Sequence, residues 1–370
     1  MNTPYPIRPD VLAMEPYSPG LSIDEIRARF GLDSVIKMAS NENPAGVSPV
    51  VRKVLCEHAA YAFRYAQSGN PELVAALGRH HGMDKGHFIP GNGSDEIIDL
   101  LLRVCPTPGR HNVVASRPSF SMYRIQSRLC GLEFRDVPLR ADFSFDWQGL
   151  ADAVDANTAL LFITTPDNPS GYCPPVAETA AFARSLPDSC LLVVDEAYMD
   201  FCRRPEERSL LPRFDEFPNL VVLRTFSKAY GLAGLRLGYG IMPLPLAEAM
   251  RRAHMPFSVN ILAEKAGIAA LADSVFHEYT VRTVDQGRRW LAEELAALGC
   301  RVHPSQANFL MFELPPGCAV NARGVFEKLL SRGLIIRPLA SYSLPEHLRV
   351  SVGTKEENRR FIELLREALA

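Results

Sequence analysis

A lysine follows an apolar strand near the middle of the chain, among groups that can bind phosphate. Residues 220–225 are apolar and β-branched enough to form a buried strand, and Lys228 comes shortly after it. Thr225 and Ser227 offer hydroxyl groups, and Arg236 offers a planar cation suited to phosphate. A nearby cation lowers the pKa of a lysine, and the neutral amine is the form that attacks a carbonyl carbon. The alternative is an ordinary solvated lysine in a loop.

Two other predicted strands also end in polar residues of distinct chemistry. The strand at 159–164 runs into Asn168, and the strand at 190–194 is followed by Asp195 and then Tyr198. Because the carboxyl ends of parallel strands meet at one edge of a sheet, we expect these side chains to lie beside Lys228 in one site. Each of them alone could equally be a turn residue or a helix cap.

A glycine turn provides the expected phosphate site. Gly93, Ser94 and Asp95 lie between a short strand and an apolar helix, whose first N–H groups would point at an anion above the turn. A plain helix with Ser94 or Asp95 as its cap explains this stretch equally well. A lysine that binds an aldehyde and an aspartate that pairs with a pyridine nitrogen are what pyridoxal 5'-phosphate requires, so Lys228 and Asp195 indicate that cofactor.

Apolar strands and helices alternate from residue 112 to residue 225. This alternation predicts an α/β fold with a doubly wound, mainly parallel sheet between helices. We expect an N-terminal arm over residues 1–40, which packs on the small domain or on a partner subunit. A large domain over 41–272 and a small α+β domain over 273–370 follow, and a long helix at 276–298 links them. The pair His80 and His81 is expected on the surface.

Composition excludes several classes of partner. The 370 residues are 47% hydrophobic and 22% charged, and the formal net charge is -2. A balance of this kind favours neither nucleic acid nor an anionic membrane as a partner. The eight cysteines form no C-x-x-C pair, so we predict no metal site. There is no apolar run long enough to span a bilayer and no signal peptide pattern, so we predict a cytoplasmic protein.

The sequence resembles the fold-type I pyridoxal-phosphate-dependent aminotransferases, and within them the histidinol-phosphate aminotransferase family. The segments 167–171, 195–198 and 225–238 carry the resemblance to the superfamily. The segments 256–260, 337–338 and 348–354 carry the resemblance to the narrower family. The resemblance covers nearly the whole chain and implies a seven-stranded sheet in the large domain and a homodimer with shared active sites.

The resemblance also implies a role for each residue that matches a family motif. Lys228 would bind the cofactor and move the substrate proton, Asp195 would bind the ring nitrogen, and Asn168 and Tyr198 would bind the ring oxygen. Phe120 would stack on the ring. The residues expected around the cofactor phosphate are Gly93, Ser94, Asp95, Thr225, Ser227, Arg236 and, from the partner subunit, Tyr65.

The substrate residues are expected on the arm and on the small domain. By resemblance, Arg349 would bind the carboxylate of glutamate, Arg337 and Tyr17 would bind a substrate phosphate, and Asn43 would contact substrate. Three positions depart from the family pattern without removing a catalytic group. Phe120 stands where the family often has tyrosine, Ala66 where it has proline, and Ser170 where it has threonine.

The resemblance implies an enzyme that transfers an amino group between histidinol phosphate and 2-oxoglutarate, giving imidazole-acetol phosphate and glutamate. In histidine biosynthesis this reaction runs in the reverse direction. Three alternatives remain open at this point: an aromatic or broad-specificity aminotransferase, a threonine-phosphate decarboxylase on the same fold, and a non-catalytic protein that retains the fold.

Overall fold

A computed structural model describes residues 5–14 and 21–370 of the chain. The first part contains α1 (Pro9–Leu12), α2 (Ile23–Phe30), β1 (Ile36–Lys37), α3 (Pro49–His58), α4 (Pro71–His81), β2 (Phe88–Asn92) and α5 (Ser94–Val104). The middle contains β3 (Asn112–Arg117), α6 (Met122–Leu129), β4 (Glu133–Pro138), α7 (Trp147–Ala153), β5 (Thr158–Thr164), α8 (Val176–Ser185), β6 (Leu191–Asp195), β7 (Leu220–Thr225) and β8 (Leu237–Ile241).

The remaining elements form the C-terminal part of the protein. They are α9 (Leu244–Ala253), α10 (Ile261–Ala272), α11 (Ser274–Ala297), β9 (Arg301–Val302), β10 (Phe309–Glu313), α12 (Ala322–Ser331), β11 (Leu334–Ile335), β12 (Arg337–Pro338), β13 (His347–Ser351) and α13 (Lys355–Leu369). The predicted linking helix at 276–298 corresponds to α11. Within the described residues, no helix combines the length and the apolar character needed to cross a membrane.

A seven-stranded sheet forms the centre of the fold and confirms the predicted α/β class. Its strand order is β2-β8-β7-β6-β5-β3-β4, and β8 is antiparallel to both of its neighbours while the other pairings are parallel. Strand β8 was not predicted from the sequence, because its glycines resemble a turn. Gly238 is required there, since a Cβ atom at this position would lie 2.4 Å from the amide nitrogen of Ser94.

Helices cover both faces of this sheet. Alternate side chains of each central strand point into the two cores on opposite faces of the sheet. In β5, for example, Leu160 packs on one face and Leu161 on the other. The helices α5, α6 and α9 contribute to the Leu160 side, and α3, α4, α8 and α10 contribute to the Leu161 side. This burial on both faces explains why the central strands have nearly continuous apolar sequences.

A second, antiparallel sheet has the strand order β12-β13-β10-β9. Leu310 and Phe312 of β10 pack on the helices α11, α12 and α13. Strand β11 lies outside this sheet and pairs with β1 in a separate two-stranded parallel sheet. That pairing joins two segments about 300 residues apart, so no local pattern could have revealed it.

The N-terminal arm packs on the C-terminal part of the chain. Helix α2 begins after Ser22, whose hydroxyl accepts a hydrogen bond from the Glu25 amide at 3.1 Å. Its buried residue Ile26 contacts Leu330 and Ile335. We propose the arm, the large domain and the small domain at the boundaries given above, and the separate cores on the two larger sheets support this division.

The expectation of a surface position is wrong for His81. Its Nε2 atom lies 2.9 Å from the hydroxyl of Tyr239, and its ring stacks on Phe88. The last turn of α4 faces β2 and β8, so this histidine packs against the sheet while His80 is exposed.

Strand β7 carries a buried ion pair that provides a stability test. Arg224 Nη2 lies 2.6 Å from Glu196 Oε2, and the Glu196 side chain is fully buried. We expect Arg224→Ala to lower the free energy of unfolding by about 3–5 kcal/mol, because it leaves a buried carboxylate without its cation. Urea unfolding measures the change.

The matched control is Arg213→Ala, which removes an exposed pair with Glu216. It should cost about 0–1 kcal/mol. Equal losses for the two variants would show that burial does not set the strength of the Arg224 pair.

Candidate active site

Lys228 lies beyond the carboxyl end of β7, where the sequence predicts the site. Its Nζ donates to the Ser40 carbonyl at 3.4 Å and lies 5.7 Å from the centre of the Tyr198 ring. It forms no salt bridge with a described residue. Burial, and next the charge of Arg349, lowers the pKa of Lys228 to about 8. A neighbouring cation was predicted to lower the pKa of Lys228, and Arg349 lowers it more than Arg236 does.

Asp195 ends β6, the strand next to β7, and is buried. Its Oδ2 accepts a hydrogen bond from the Tyr123 hydroxyl at 2.7 Å, and its Oδ1 accepts one from the Ala197 amide at 3.1 Å. Burial raises the pKa of Asp195 to about 6, although both hydrogen bonds favour the carboxylate. It forms no salt bridge with a cation among the described residues, so it suits a ligand that brings a positive charge.

Tyr123 is a site residue that sequence reasoning missed. It lies on α6 and is fully buried, and its hydroxyl also lies 2.8 Å from Thr164 Oγ1 at the end of β5. Tyr123 therefore holds the Asp195 carboxylate in one orientation. No spacing links the two positions, because they come from a helix and a strand 72 residues apart.

Tyr198 is held by a polar loop from the start of the large domain. Its hydroxyl accepts a hydrogen bond from Asn41 Nδ2 at 3.0 Å. The Asn41 side chain in turn accepts from the Ser351 hydroxyl at 2.9 Å. Burial raises the pKa of Tyr198, so its hydroxyl keeps its proton and can donate it to a ligand. Asn41 was also missed, since the sequence analysis chose its neighbour Asn43.

Asn168 and Arg349 meet at the junction of the two larger sheets. Arg349 Nη1 donates to Asn168 Oδ1, and its Nη2 donates to the Ala39 carbonyl at 3.1 Å. Both side chains are buried. The Nε atom of Arg349 is buried with no hydrogen-bond partner, and this guanidinium forms no salt bridge with a described carboxylate. A buried cation of this kind suits a carboxylate ligand.

The predicted phosphate turn has an uncapped helix start. Helix α5 begins at Ser94 with Gly93 in the N-cap position, and no side chain caps its first N–H groups. The alternative of a plain helix capped by Ser94 or Asp95 is therefore wrong. Gly93 has a φ of +76°, and a Cβ atom there would lie 2.5 Å from Arg236 Nη2. Glycine therefore leaves the space in which this guanidinium approaches the helix start.

Arg236 connects the helix start to the loop after β7. Its Nη2 lies 3.1 Å from Asp95 Oδ2, and its Nη1 donates to Ser227 Oγ at 3.3 Å. The Thr225 hydroxyl accepts a hydrogen bond from the Ser227 amide at 3.1 Å, which fixes the turn before Lys228. Partial burial raises the pKa of Asp95 although Arg236 opposes the shift.

The residues of this site fit pyridoxal 5'-phosphate. An uncapped helix start beside Arg236 suits its phosphate, the buried Asp195 carboxylate suits a protonated ring nitrogen, and Lys228 suits the aldehyde. Tyr198 and the amide NH₂ group of Asn168 suit its phenolate oxygen.

Two other predicted site residues, Phe120 and Arg337, line a common cavity. Phe120 packs edge-on against the Tyr123 ring, with 5.6 Å between ring centres. Arg337 is the cross-strand neighbour of Arg349 in the pairing of β12 with β13. Together, Phe120 and Arg337 line a cavity of about 620 Å³.

Three further predictions differ in outcome. Asn43 uses its side chain within the protein: Nδ2 donates to the Ala229 carbonyl at 3.0 Å, and Oδ1 accepts from the Ala45 amide at 2.9 Å. Tyr65 is 80% exposed and its ring stacks on Phe257. Tyr17 lies outside the described residues.

Known proteins are similar to this chain over its full length. The profile of the family described as Aminotransferase class I and II matches residues 33–365. A histidinol-phosphate aminotransferase of Nitratidesulfovibrio vulgaris is 61% identical over 369 residues, which cover 100% of this chain and 98% of the relative. One from Oleidesulfovibrio alaskensis is 60% identical, covering 98% of this chain and 95% of the relative.

A solved structure shows the same likeness. The histidinol-phosphate aminotransferase of Sinorhizobium meliloti, in complex with pyridoxal-5'-phosphate, has a TM-score of 0.89 and 28% identity. The match covers 98% of this chain and 97% of that one.

The pKa of Lys228 can be measured by competitive labelling. We expect the rate at which trace acetic anhydride labels Lys228 of the cofactor-free protein to rise with pH and to level off once the pH exceeds about 8. The reason is that only the neutral amine reacts. Mass spectrometry of peptides gives the rate for each lysine in one sample, and the exposed Lys53 is the internal reference.

Arg349→Met should move this inflection to higher pH, because it removes a positive charge that disfavours the ammonium form. An inflection near 10.4, the ordinary value for lysine, or one that Arg349→Met leaves unmoved, would contradict the proposed electrostatics.

Proposed function

The chain belongs to the class I and II aminotransferase family, and on that premise we propose that it transfers an amino group between histidinol phosphate and 2-oxoglutarate. The products are imidazole-acetol phosphate and glutamate, and histidine biosynthesis uses the reverse direction. Pyridoxal phosphate is the cofactor of this family, and the Sinorhizobium meliloti relative contains it.

A strongly cationic cavity carries the choice of substrate. The cavity of about 620 Å³ beside Phe120 is lined by the arginines Arg117, Arg124, Arg128 and Arg337, and Asp136 is the one acidic residue among its described lining residues. Asp136 forms salt bridges with two of these arginines, Arg117 and Arg124. The lining therefore keeps a positive surplus, which suits the dianionic phosphate of histidinol phosphate.

Side-chain contacts connect this cavity to the proposed cofactor site. Phe120 lines the cavity and contacts Tyr123, and Tyr123 donates to Asp195. Arg337 and Arg349 are neighbours on one face of the small sheet. A phosphate bound at Arg337 would thus lie on the same side of the sheet as Arg349, the residue that we assign to binding the carboxylate of glutamate.

The protein groups have separate tasks in the proposed reaction. Pyridoxal phosphate, when bound, supplies an electron-withdrawing ring that stabilises negative charge at the substrate carbon. The Lys228 amine would take the proton from that carbon and deliver it to the carbon of the cofactor's aldehyde group, and its pKa of about 8 suits a base that works near neutral pH. Asp195 keeps the ring nitrogen protonated, and Tyr123 orients the Asp195 carboxylate. Tyr198 and Asn168 bind the ring oxygen.

We assign the cofactor phosphate to the start of α5. The N–H groups of Ser94 and Asp95, the Ser227 and Thr225 hydroxyls and Arg236 bind it. The Asp95 carboxylate repels a phosphate, so its side chain acts through Arg236, which it holds at 3.1 Å. For Asn43 we propose an indirect part in substrate binding, since its hydrogen bond to the Ala229 carbonyl fixes the residue after Lys228.

The relatives do not favour the alternatives. Those that match at 60% and 61% identity carry the histidinol-phosphate name. An aromatic amino acid carries no phosphate for the four arginines of the cavity to bind. A threonine-phosphate decarboxylase is distinguished by its product, since it would release carbon dioxide. We place the protein in the cytoplasm, and its eight free cysteines support a reducing compartment.

We also propose a homodimer in which Tyr65 of each subunit binds the cofactor phosphate of the other. Tyr65, Phe63 and Phe257 form an exposed aromatic surface, with Phe63 76% exposed. The surface adjoins the phosphate turn, because Asn92 Nδ2 donates to the Ser258 carbonyl at 3.3 Å. An exposed apolar patch of this kind marks an interaction site.

The substrate assignment predicts a selective loss in Arg337→Met. We expect kcat/KM for histidinol phosphate to fall about 10- to 100-fold, the usual effect of losing a hydrogen bond to a charged group. Activity with phenylalanine should be almost unchanged, because that substrate has no phosphate. Steady-state kinetics with both amino donors give the comparison.

Two variants serve as controls for this measurement. Arg349→Met should lower activity with the amino acid donors glutamate and phenylalanine, while Arg184→Met, whose partner Glu216 is exposed, should lower neither activity. Equal losses with histidinol phosphate and phenylalanine in Arg337→Met count against the phosphate assignment.

Mixed dimers can test whether the active sites are shared. We expect a dimer of one Lys228→Ala subunit and one Tyr65→Phe subunit to contain one fully intact site, because Lys228 and Tyr65 of that site come from different chains. Titration with pyridoxal phosphate should then give wild-type affinity at half of the sites. The pure Tyr65→Phe dimer should bind the cofactor about 10-fold more weakly.

If Tyr65 acts within its own subunit, the mixed dimer keeps the weaker affinity of Tyr65→Phe. Light scattering of the purified protein provides the preliminary check, since a monomer would exclude this arrangement.

A further inference from the structure

Three potential metal ligands that have no part in the proposed cofactor site lie together at the small antiparallel sheet. Glu313 of β10 and His347 of β13 are direct cross-strand partners. Glu313 also pairs with Arg301 of β9, so His303, two residues further along, projects from the same face. One ligand atom from each of His303, Glu313 and His347 lies within 4.8 Å of the others.

The carboxylate is the centre of this group. Glu313 Oε1 lies 3.0 Å from His303 Nε2 and 3.5 Å from His347 Nε2. A neutral imidazole has a lone pair on one ring nitrogen, and this is the form that binds a metal ion. The ring of Phe143, from the loop between β4 and α7, contacts both imidazoles edge-on at 4.8 and 5.5 Å between ring centres.

We propose that His303, Glu313 and His347 bind a divalent transition metal ion, with Zn²⁺ favoured. Two imidazoles and one carboxylate are a common zinc ligand set that leaves a fourth position open. Bonds of about 2.0–2.1 Å in a tetrahedral site place ligand atoms about 3.3 Å apart. The observed separations of 3.0 and 3.5 Å already bracket that value, and the strand pairing holds the three residues in position.

The expected metal affinity of this site depends on access from solvent and on the competing contact of Arg301 with Glu313. His303 lines a separate open cavity of about 450 Å³, which gives an ion a path from solvent. Arg301 Nη1 lies 3.5 Å from Glu313 Oε1, but its side chain is 68% exposed and can turn into water. The Nδ1 atom of His347 is buried with no hydrogen-bond partner, so that ligand lacks a group to orient it. Such support changes metal affinity by about 10- to 100-fold, and we therefore expect micromolar rather than nanomolar affinity.

The position of the site gives the metal a structural role. The site joins β9, β10 and β13. It also contacts Phe143, which lies in the loop that follows β4 of the central sheet. His347 is two residues before Arg349 on β13 and shares its face. The proposal does not rest on the aminotransferase reaction, because none of the three ligands has a part in it.

Cobalt provides a direct spectroscopic probe of this site. Tag-free holoenzyme titrated with Co²⁺ should show d–d absorption bands of tetrahedral intensity that saturate at one equivalent, and Zn²⁺ should displace them. Saturating Zn²⁺ should also raise the Tm. His303→Gln, His347→Gln and Glu313→Gln should each raise the Kd at least 10-fold.

His80→Gln is the matched control, because it removes an exposed histidine outside the cluster and should leave the Kd unchanged. Circular dichroism and cofactor content establish that each variant is folded. Unchanged Co²⁺ binding in all three ligand variants overturns the proposal, as does the absence of saturable binding in the wild type.

A competing thiol site has its own signature. Cys173 and Cys202 have sulfur atoms 3.7 Å apart and could bind the probe instead. Sulfur-to-cobalt charge-transfer bands that disappear in Cys202→Ser would assign the metal to this pair and overturn the histidine site.

Discussion

The hydrogen bond between Arg349 and Asn168 joins the two larger sheets at the proposed active site. It connects β13 of the small sheet to the turn after β5 of the central sheet. A buried guanidinium is costly without an anion, and the neighbouring Asp195 and Lys228 also lack partners of opposite charge among the described residues. The site thus keeps two cations and one carboxylate apart in a region of low dielectric. Ligands that carry the complementary charges are stabilised there, and burial in the same region shifts the pKa values of Lys228 and Asp195 toward their neutral forms.

The sequence predicted the residues that one topological rule brings together. Asn168, Asp195 and Lys228 follow three strands that are neighbours in the sheet, so their convergence required only the recognition of parallel strands. Tyr123 and Asn41 could not be predicted from the sequence, since each contacts the site through a side-chain hydrogen bond to a residue that is distant in the chain. Strand β8 was missed because local propensity and tertiary packing disagree in a glycine-rich strand. The chemistry of Lys228 and Asp195 indicated the cofactor, the roles of the other residues came from resemblance, and the geometry came from the structure.

The formal charge of -2 conceals an uneven distribution. Arg117, Arg124 and Arg128 come from β3 and α6, and Arg337 comes from the small sheet, yet all four line one cavity. A focused positive field raises the local concentration of an anionic substrate and its rate of association, and it weakens as ionic strength rises. A nearly neutral protein can therefore select phosphorylated molecules without attracting polyanions in general.

The contacts of the loop after β1 also determine when the site can form during synthesis of the polypeptide chain. The Asn41 amide donates to the Ser351 hydroxyl, 310 residues away, and Asn308 donates to the Asn41 carbonyl. Contacts of such long range form late, because loop closure must precede them. The central sheet can assemble while the ribosome still holds the C-terminal part, but Tyr198 gains its Asn41 partner in its final position only after β13 has emerged. A nascent chain without β13 therefore lacks a complete site, because Arg349 and the Ser351 partner of Asn41 both come from that strand.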